Sequence, residues 1–441
     1  MLALDIIMAL MMAATLLYGA YFLAVALLGA FRPEKRCPHR PPQKRIAAII
    51  AARNESGVIA PLIESILNQH YPADLRDVFV VPNNCTDDTE QVARRAGARI
   101  LNCTVPVHAK GEAVSWAIDE LLKYPENYDA FIIVDADNLL DADYFQMAND
   151  ALCAGAKVGQ GYRDSKNYSD SWIAGCSSQF YWCMSRFYNR SRNALNMSAA
   201  LNGTGILLSA DYMRQVGWHT SSLTEDLEFT AQCALSGVRI WWLGDARAYD
   251  EQPNRFIDSY KQRRRWSAGT VQCMRGYLGR LVRQAVRARS LQCLDMAVLF
   301  TGPVVQLFSL LPGIYFGLRA LINLIGQPFE AWLPWLGGML GGLVAGFAAI
   351  SLLSYLIFKF EGKSARGQWR TIFGLWLFLM SWIPANLVSL FTKPPKWVQI
   401  RHERALSMSD IKRADQSAPQ PRRSTPAQSA SNQPQGRDEP I

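Results

Sequence analysis

The sequence predicts an α/β cytosolic domain, Rossmann-like in build, inserted between transmembrane helices and bordered by amphipathic interface helices. Three observations predict it. Residues 6–31, "IIMALMMAATLLYGAYFLAVALLGAF", carry no charge and are long enough to cross a bilayer. Three further apolar blocks follow near 294–325, 332–360 and 371–392. The stretch between is polar, rich in Asp, Arg, Asn and Gly, and alternates buried-strand patterns with helical ones.

The first apolar run, assigned to 5–32, is too long for the core of a cleaved signal peptide. It also lacks a basic leader and is followed by "RPEKR", so it reads as an uncleaved anchor. Half of the 441 residues are hydrophobic and 19% are charged, which argues against an ordinary soluble enzyme. The net charge of +9 gathers in "FRPEKRCPHRPPQKR" and in "RRRW…RGYLGRLVRQAVRAR", which flank the membrane segments. Lys and Arg mark the cytosolic side, so the inserted domain is expected in the cytoplasm of an integral plasma (inner) membrane protein. Anionic headgroups attract the same residues, so membrane lipids are expected partners and nucleic acid is not. The nine cysteines show no C-x-x-C or zinc spacing and are expected as reduced thiols.

The domain is expected over 45–275. "RIAAIIAARNES", "RDVFVVPNNCTDDTE" and "AFIIVDADNLL" each read as a buried strand ending in a polar turn. A mostly parallel sheet would gather the turns 53–56, 83–89 and 135–138 at one crevice. Residues 169–193 mix aromatics with arginines and suit either an amphipathic helix on the membrane or a protein-packed one. An interface helix is expected over 276–293, a membrane region over 294–393, and a basic, then disordered, tail over 394–441. One anchor plus three blocks would leave both termini outside, yet the basic run "KPPKWVQIRHERALS" favours the cytosol. Either 294–325 hides a hairpin or one block is interfacial or re-entrant; "SWIPAN", with Pro384, suits a broken helix.

Three motifs carry candidate chemistry. In "VDAD", Asp135 and Asp137 would point to the same side of an extended chain and suit Mg²⁺ or Mn²⁺ shared with a diphosphate. A plain Asp-rich turn, or a phosphatase-type D-x-D, explains the pair as well. In "LTEDLEF", Thr224 can cap a helix whose first turn holds Glu225 and Asp226, or Asp226 can act as a general base. In "SYKQRRRWSAG", a helix would bring Gln262, Arg265 and Trp266 to one face as an amide, a planar cation and an indole. Arg263 and Arg264 would point elsewhere, toward lipid phosphates or acidic side chains. A basic cluster with an interfacial Trp is the plainer account.

The ordered series "AARNE", "NNCTDDT", "HAKGEAVSWA", "VDAD", "NGTG", "LTED" and "QRRRW" resembles membrane-bound family-2 glycosyltransferases. It looks like the processive synthases of cellulose, chitin, hyaluronan and related β-linked polymers, whose Q-x-x-R-W motif is matched at Gln262, Arg265 and Trp266. The resemblance implies a GT-A fold and an inverting, metal-dependent hexosyltransferase. Such an enzyme would use a UDP-sugar, UDP-glucose favoured, to extend a β-glucan-like polymer and export it through its own channel. A single-addition enzyme acting on a lipid, like ceramide glucosyltransferase, is the alternative. A nucleotide-sugar-sensing receptor is the non-enzymatic one.

Carried over by position, the resemblance implies that Ala52, Arg53, Asn54 and Glu55 border the uridine. Asn83 stands where an Asp is usual, and Lys110 lies near the nucleotide. Asp135 and Asp137 would bind metal and diphosphate, and Gly203 and Thr204 would lie beside the acceptor sugar. Thr224, Glu225 and Asp226 would form the catalytic segment with Asp226 as base. Gln262, Arg265 and Trp266 would clamp diphosphate and growing glycan.

Overall fold

The computed structural model describes residues 2–107, 109–393 and 406–416. Strands β1 (Ile46–Ala52), β2 (Arg76–Pro82) and β4 (Ala130–Asp135) are buried almost throughout, which is why they read as unbroken apolar runs. With β3 (Arg99–Ile100), β5 (Leu139–Leu140), β6 (Val158–Ser165), β7 (Ile206–Ser209) and β8 (Ile240–Asp250) they form one eight-stranded sheet. Its order is β3-β2-β1-β4-β7-β6-β8-β5. The first four strands are mutually parallel, whereas β7 and β5 run against their neighbours. Ala52 pairs with Pro82 and Ala51 with Asp135, so three carboxyl-end turns do open on one edge.

Residues 169–193 pack against protein. The Trp172–Cys183 helix and the π-helical Met184–Arg190 segment are largely buried. Ser191 supports the first apolar helix, Leu2–Ala30, by donating to the Ala26 carbonyl at 3.1 Å. The Phe256–Arg287 helix is continuous, so the expected boundary at 275/276 falls inside one rigid rod. The 294–325 block contains no hairpin. It breaks at Thr301 into a short helix, Leu291–Phe300, buried against the domain, and a longer one, Gly302–Leu324.

Four helices are long and apolar enough to cross a membrane: Leu2–Ala30, Gly302–Leu324, Phe329–Phe360 and Trp369–Phe391. The first two lie together, tied by Asp5 to Tyr315 and Arg319. Phe329–Phe360 follows Gly302–Leu324 after a short link, yet among the described residues the two make no more than incidental contact. Among the described residues, nothing beyond the helix's own neighbouring turns lies within 4 Å of a Cβ placed at Gly337, Gly338, Gly341, Gly342 or Gly346.

Trp369–Phe391 differs from the other three, because both of its ends rest on the domain. Thr371 packs on Gly175 and accepts from the Cys176 thiol at its carbonyl. Twenty residues on, Arg275 donates to the Leu390 carbonyl at 2.8 Å and Ser389 to the Arg264 carbonyl at 3.4 Å. Between these points the helix breaks at Ser381, three residues before Pro384. The basic run after it lies largely outside the described residues. Farther on, the Met408–Gln416 helix returns to the domain, seating Ile411 on Leu139 and Tyr249.

Candidate active site

The first two turns knit together at the sheet edge. The Asn83 amide donates to the Ala52 carbonyl at 2.8 Å, and the Thr86 amide to Asn54 Oδ1 at 2.7 Å. Glu55 and Ser56 amides donate to Thr89 Oγ1 and Asp87 Oδ2. Asn54 and Asn84 hold positive φ angles of 56° and 50°, a conformation that asparagine tolerates better than most residues. Asn84 Nδ2 in turn donates to Asn83 Oδ1 at 2.8 Å, so Asn83 presents an oriented amide to the crevice rim. Ala52, Arg53, Asn54, Glu55 and Asn83 thus sit together beside the third turn.

That turn corrects one expectation. Asp135 ends β4, and Asp137 lies in a tight turn closed by the Asn138 amide on the Asp135 carbonyl at 3.0 Å. The two carboxylates therefore do not share one side of an extended chain. Asp135 Oδ1 meets Lys110 Nζ at 2.5 Å, whereas Asp137 accepts from Asn138 Nδ2 at 3.1 Å and from the Glu251 amide at 3.4 Å. Among the described residues no three metal-ligating side chains cluster. Two hard carboxylates at a strand end suit Mg²⁺ or Mn²⁺ that takes its remaining ligands from water and a diphosphate, so the donor set fits such an ion.

"NGTG" closes over this turn. Thr204 Oγ1 accepts from the Asp135 amide at 3.1 Å and donates to Asn138 Oδ1. Gly203 has φ +92°, and a Cβ there would lie 3.5 Å from both Arg163 Nη1 and Asp226 Oδ2. Lys110 Nζ donates to the Gly203 carbonyl at 2.7 Å and stands 3.5 Å from Glu225 Oε1. One lysine thus ties the D-x-D turn, the glycine loop and the "LTED" segment together. Burial alone would lower its pKa, but Asp135 and Glu225 hold it above its usual value.

Asp226 faces the same space. Burial, then the neighbouring Glu225 charge, raises its carboxyl to about 7; the Leu227 amide, Lys110 and Arg163 oppose the rise. A carboxyl poised there can accept a proton near neutral pH. Thr224 does not cap the helix Glu225–Leu235 through its side chain. Its hydroxyl turns toward Cys273 and against the Cα of Gly269, where a larger residue would clash at 2.5 Å. This close approach presses "LTED" onto the "QRRRW" helix.

On that helix Arg265 donates to the Leu223 carbonyl at 3.3 Å, next to the acidic segment, and Gln262 is half-buried. Trp266 stacks with Phe180 and Trp382 at centroid distances of 6.3 and 6.2 Å and meets the edge of Tyr181. Arg263 behaves otherwise than expected. It meets neither an acid nor a lipid phosphate, being fully buried beneath Phe378 and donating to the Phe378 carbonyl at 2.9 Å and to Ser381. Burial brings its pKa down to about 10.

Sequence reasoning missed two residues that stand at the centre. Arg163 of β6 grips Asp250 at the end of β8 through Nε at 2.6 Å, reaches the Asn202 carbonyl, and lies 3.8 Å over the Tyr181 ring. Burial pushes the Asp250 carboxyl up despite Arg163, with Asp137 adding to the rise. The available signal was a charged pair, Arg163–Asp164, inside a strand otherwise made of Val, Gly, Gln, Tyr and Ser.

Comparison with known proteins agrees with this architecture. The mannosyltransferase PcManGT of Pyrobaculum calidifontis, solved with GDP-mannose and Mn²⁺, superposes with a TM-score of 0.54 at 17% identity, covering 86% of this chain and 99% of its own. The β-monoglucosyldiacylglycerol synthase of Synechocystis is 22% identical over 52% of this chain and 49% of its own length. The probable glycosyltransferase YdaM of Bacillus subtilis is 26% identical over 51% of this chain and 55% of its own. This chain thus spans about half the length of the curated relatives it matches. A family model described as "glycosyltransferase like family 2" matches residues 41–269, more than half of the chain and the crevice residues from Ala52 to Trp266, so the chain belongs to that glycosyltransferase family.

Proposed function

We propose that the protein transfers one sugar from a nucleoside-diphosphate donor, UDP-glucose favoured, to a hydroxyl of a lipid resident in the membrane. The carrying observation is the convergence of Asp226, Gly203, Arg163 and the Lys110–Asp135 pair on one crevice above the Phe256–Arg287 helix. Asp226 would take the proton of the attacking hydroxyl. Attack from the side opposite the diphosphate inverts the anomeric carbon and gives a β linkage. Lys110 and Arg265 would offset charge growing on the leaving diphosphate. A divalent ion held by Asp135 and Asp137 would supply further charge neutralisation there. Asn83, offering both a donor and an acceptor where an Asp is usual, would read the N–H and C=O edge of the base.

The lipid acceptor is preferred to a growing polymer because, among the described residues, Gly302–Leu324 and Phe329–Phe360 make no more than incidental contact and the glycine-rich side of the latter is uncovered, as suits lateral access for a lipid. The glucosyldiacylglycerol synthases among the relatives favour the same acceptor class. The Gln262–Arg265–Trp266 set favours processive β-glucan synthesis as the second reading. Membrane vesicles given Mg²⁺ and radiolabelled UDP-glucose should yield one organic-soluble glycolipid, and chelation should abolish it. An alcohol-insoluble product sensitive to β-glucanase would replace the lipid reading with the polymer one.

Contacts at both ends of Trp369–Phe391 also support a topology of three crossings, with this helix lying on the cytosolic surface. It removes the parity conflict and puts the carboxyl terminus with the domain. An impermeant maleimide applied to intact cells should label a cysteine at Gly326 and leave one at Lys393 unlabelled. Labelling of both would restore a fourth crossing.

A further inference from the structure

We propose that the outer side of the Phe256–Arg287 helix, beyond the clamp residues, is a docking strip for anionic phospholipid headgroups. Leu278, Leu281 and Ala285 turn inward onto Ala231, Ala234, Met296 and Phe300. The opposite side exposes Arg280, Arg283 and Arg287 beside Val282 and Val286, which are 46% and 75% exposed. Residues 259–294 contain no acid, and none of the three arginines pairs with a carboxylate among the described residues. A helix facing water would interleave acids to pair with such arginines, and would not leave valines bare.

Helical geometry sorts this side into two bands. Val282 and Val286 share a sector about 40° wide with Arg275, whose guanidinium already reaches the Leu390 carbonyl of the Trp369–Phe391 helix. Arg283, Arg287 and Arg280 fall in the adjoining sector. An apolar band continuous with a membrane-seated helix and flanked by cations is how a helix lies in the headgroup layer. The valines enter the acyl boundary, and the guanidiniums bind phosphate bidentately on their apolar stems. The same continuous helix carries Arg265 and Trp266, so lipid at one end bears on how the other end presents the crevice. The inference concerns the surface alone and holds whichever acceptor is used.

The test uses the full chain in detergent with equal amounts of phosphatidylglycerol and phosphatidylcholine, bound lipid being read by native mass spectrometry. The parent should retain phosphatidylglycerol over phosphatidylcholine by about tenfold. Arg280→Gln/Arg283→Gln/Arg287→Gln should erase the preference while keeping the parent's thermal midpoint. In vesicles, about 30 mol % phosphatidylglycerol should raise parent turnover several-fold over phosphatidylcholine alone, an effect that salt screens and soluble glycerol phosphate does not reproduce. The triple variant should keep the parent's activity in pure phosphatidylcholine and gain nothing from the anionic lipid. Equal retention of both lipids by the parent, or undiminished preference in the triple variant, would overturn the proposal.

Discussion

Asp226→Asn should cut turnover by about 10²–10⁴-fold and, at pH 8, make the resting protein more stable. The two effects have one cause. Burial and the adjacent Glu225 raise the Asp226 carboxyl to about 7. The folded protein therefore holds this proton more tightly than the unfolded chain, whose carboxyl titrates near 4. Through the window from about 4 to about 7, stability falls as pH rises, and above it the full cost of a crowded anion is carried. Discounted for access to the crevice, that cost is about 1–3 kcal/mol. Asparagine keeps the shape and the acceptor for the Leu227 amide, and removes the charge. Without the base, the rate should drop about 10²–10⁴-fold, with nucleotide binding retained. The parent's rate should rise through an acid limb near the same pH. Thermal midpoints at pH 5 and pH 8 separate the contributions: the variant should gain at pH 8 and show little gain at pH 5. Turnover above a tenth of the parent's would remove Asp226 from the role of base, whatever the stability result.

The sequence made some of this legible and hid the rest for identifiable reasons. Strands β1, β2 and β4 are covered on both faces, so each is a run of apolar residues followed by polar ones, and the crevice they form is legible in the sequence. The later half of the sheet was not. Its strands carry Arg163, Asp164 and Asp250, whose burial depends on partners far away in the chain. Helical spacing set Arg265 apart from Arg263 and Arg264, yet it could not show that Arg263 is sealed under aromatic rings or that Arg265 reaches the Leu223 carbonyl. Only packing shows that. Hydropathy found four apolar helices but could not show that Trp369–Phe391 rests on the domain at both ends, because hydrogen bonds to Arg275, Arg264 and Cys176 leave no mark on composition.

Lys363→Met and Asp164→Asn should each cost about 1–3 kcal/mol, while the double variant should lose less than the two losses summed. Phe329–Phe360 ends in a cap in which Gly362, at φ +66°, lets the Lys363 amide reach back to the Phe358 carbonyl at 2.9 Å. The cap turns Glu361 and Lys363 into the domain. Glu361 accepts from Tyr162 and from Arg186 Nε at 2.5 Å, and Lys363 Nζ lies 3.3 Å from Asp164, whose side chain is fully buried. Burial would raise the Asp164 carboxyl, but Lys363 and then Arg247 hold it below its usual value, and Trp182 donates to it at 2.8 Å. Removing one partner deprives a buried charge of its nearest counter-ion, though Asp164 keeps Arg247 and Trp182; removing both leaves a polar amide among aromatic rings, which is less costly. Tyr162 and Asp164 point to this anchor, and Arg163 between them points to Asp226, because side chains alternate along a strand. The single variants should therefore lower the catalytic rate more than they weaken donor binding, since displaced Arg163 disturbs the transfer geometry more than the nucleotide rim. Denaturation of all four proteins, with kcat and KM for the donor, tests both claims. Additive losses, with a coupling below about 0.5 kcal/mol, would mean that Phe329–Phe360 merely abuts the domain and does not hold β6 in place.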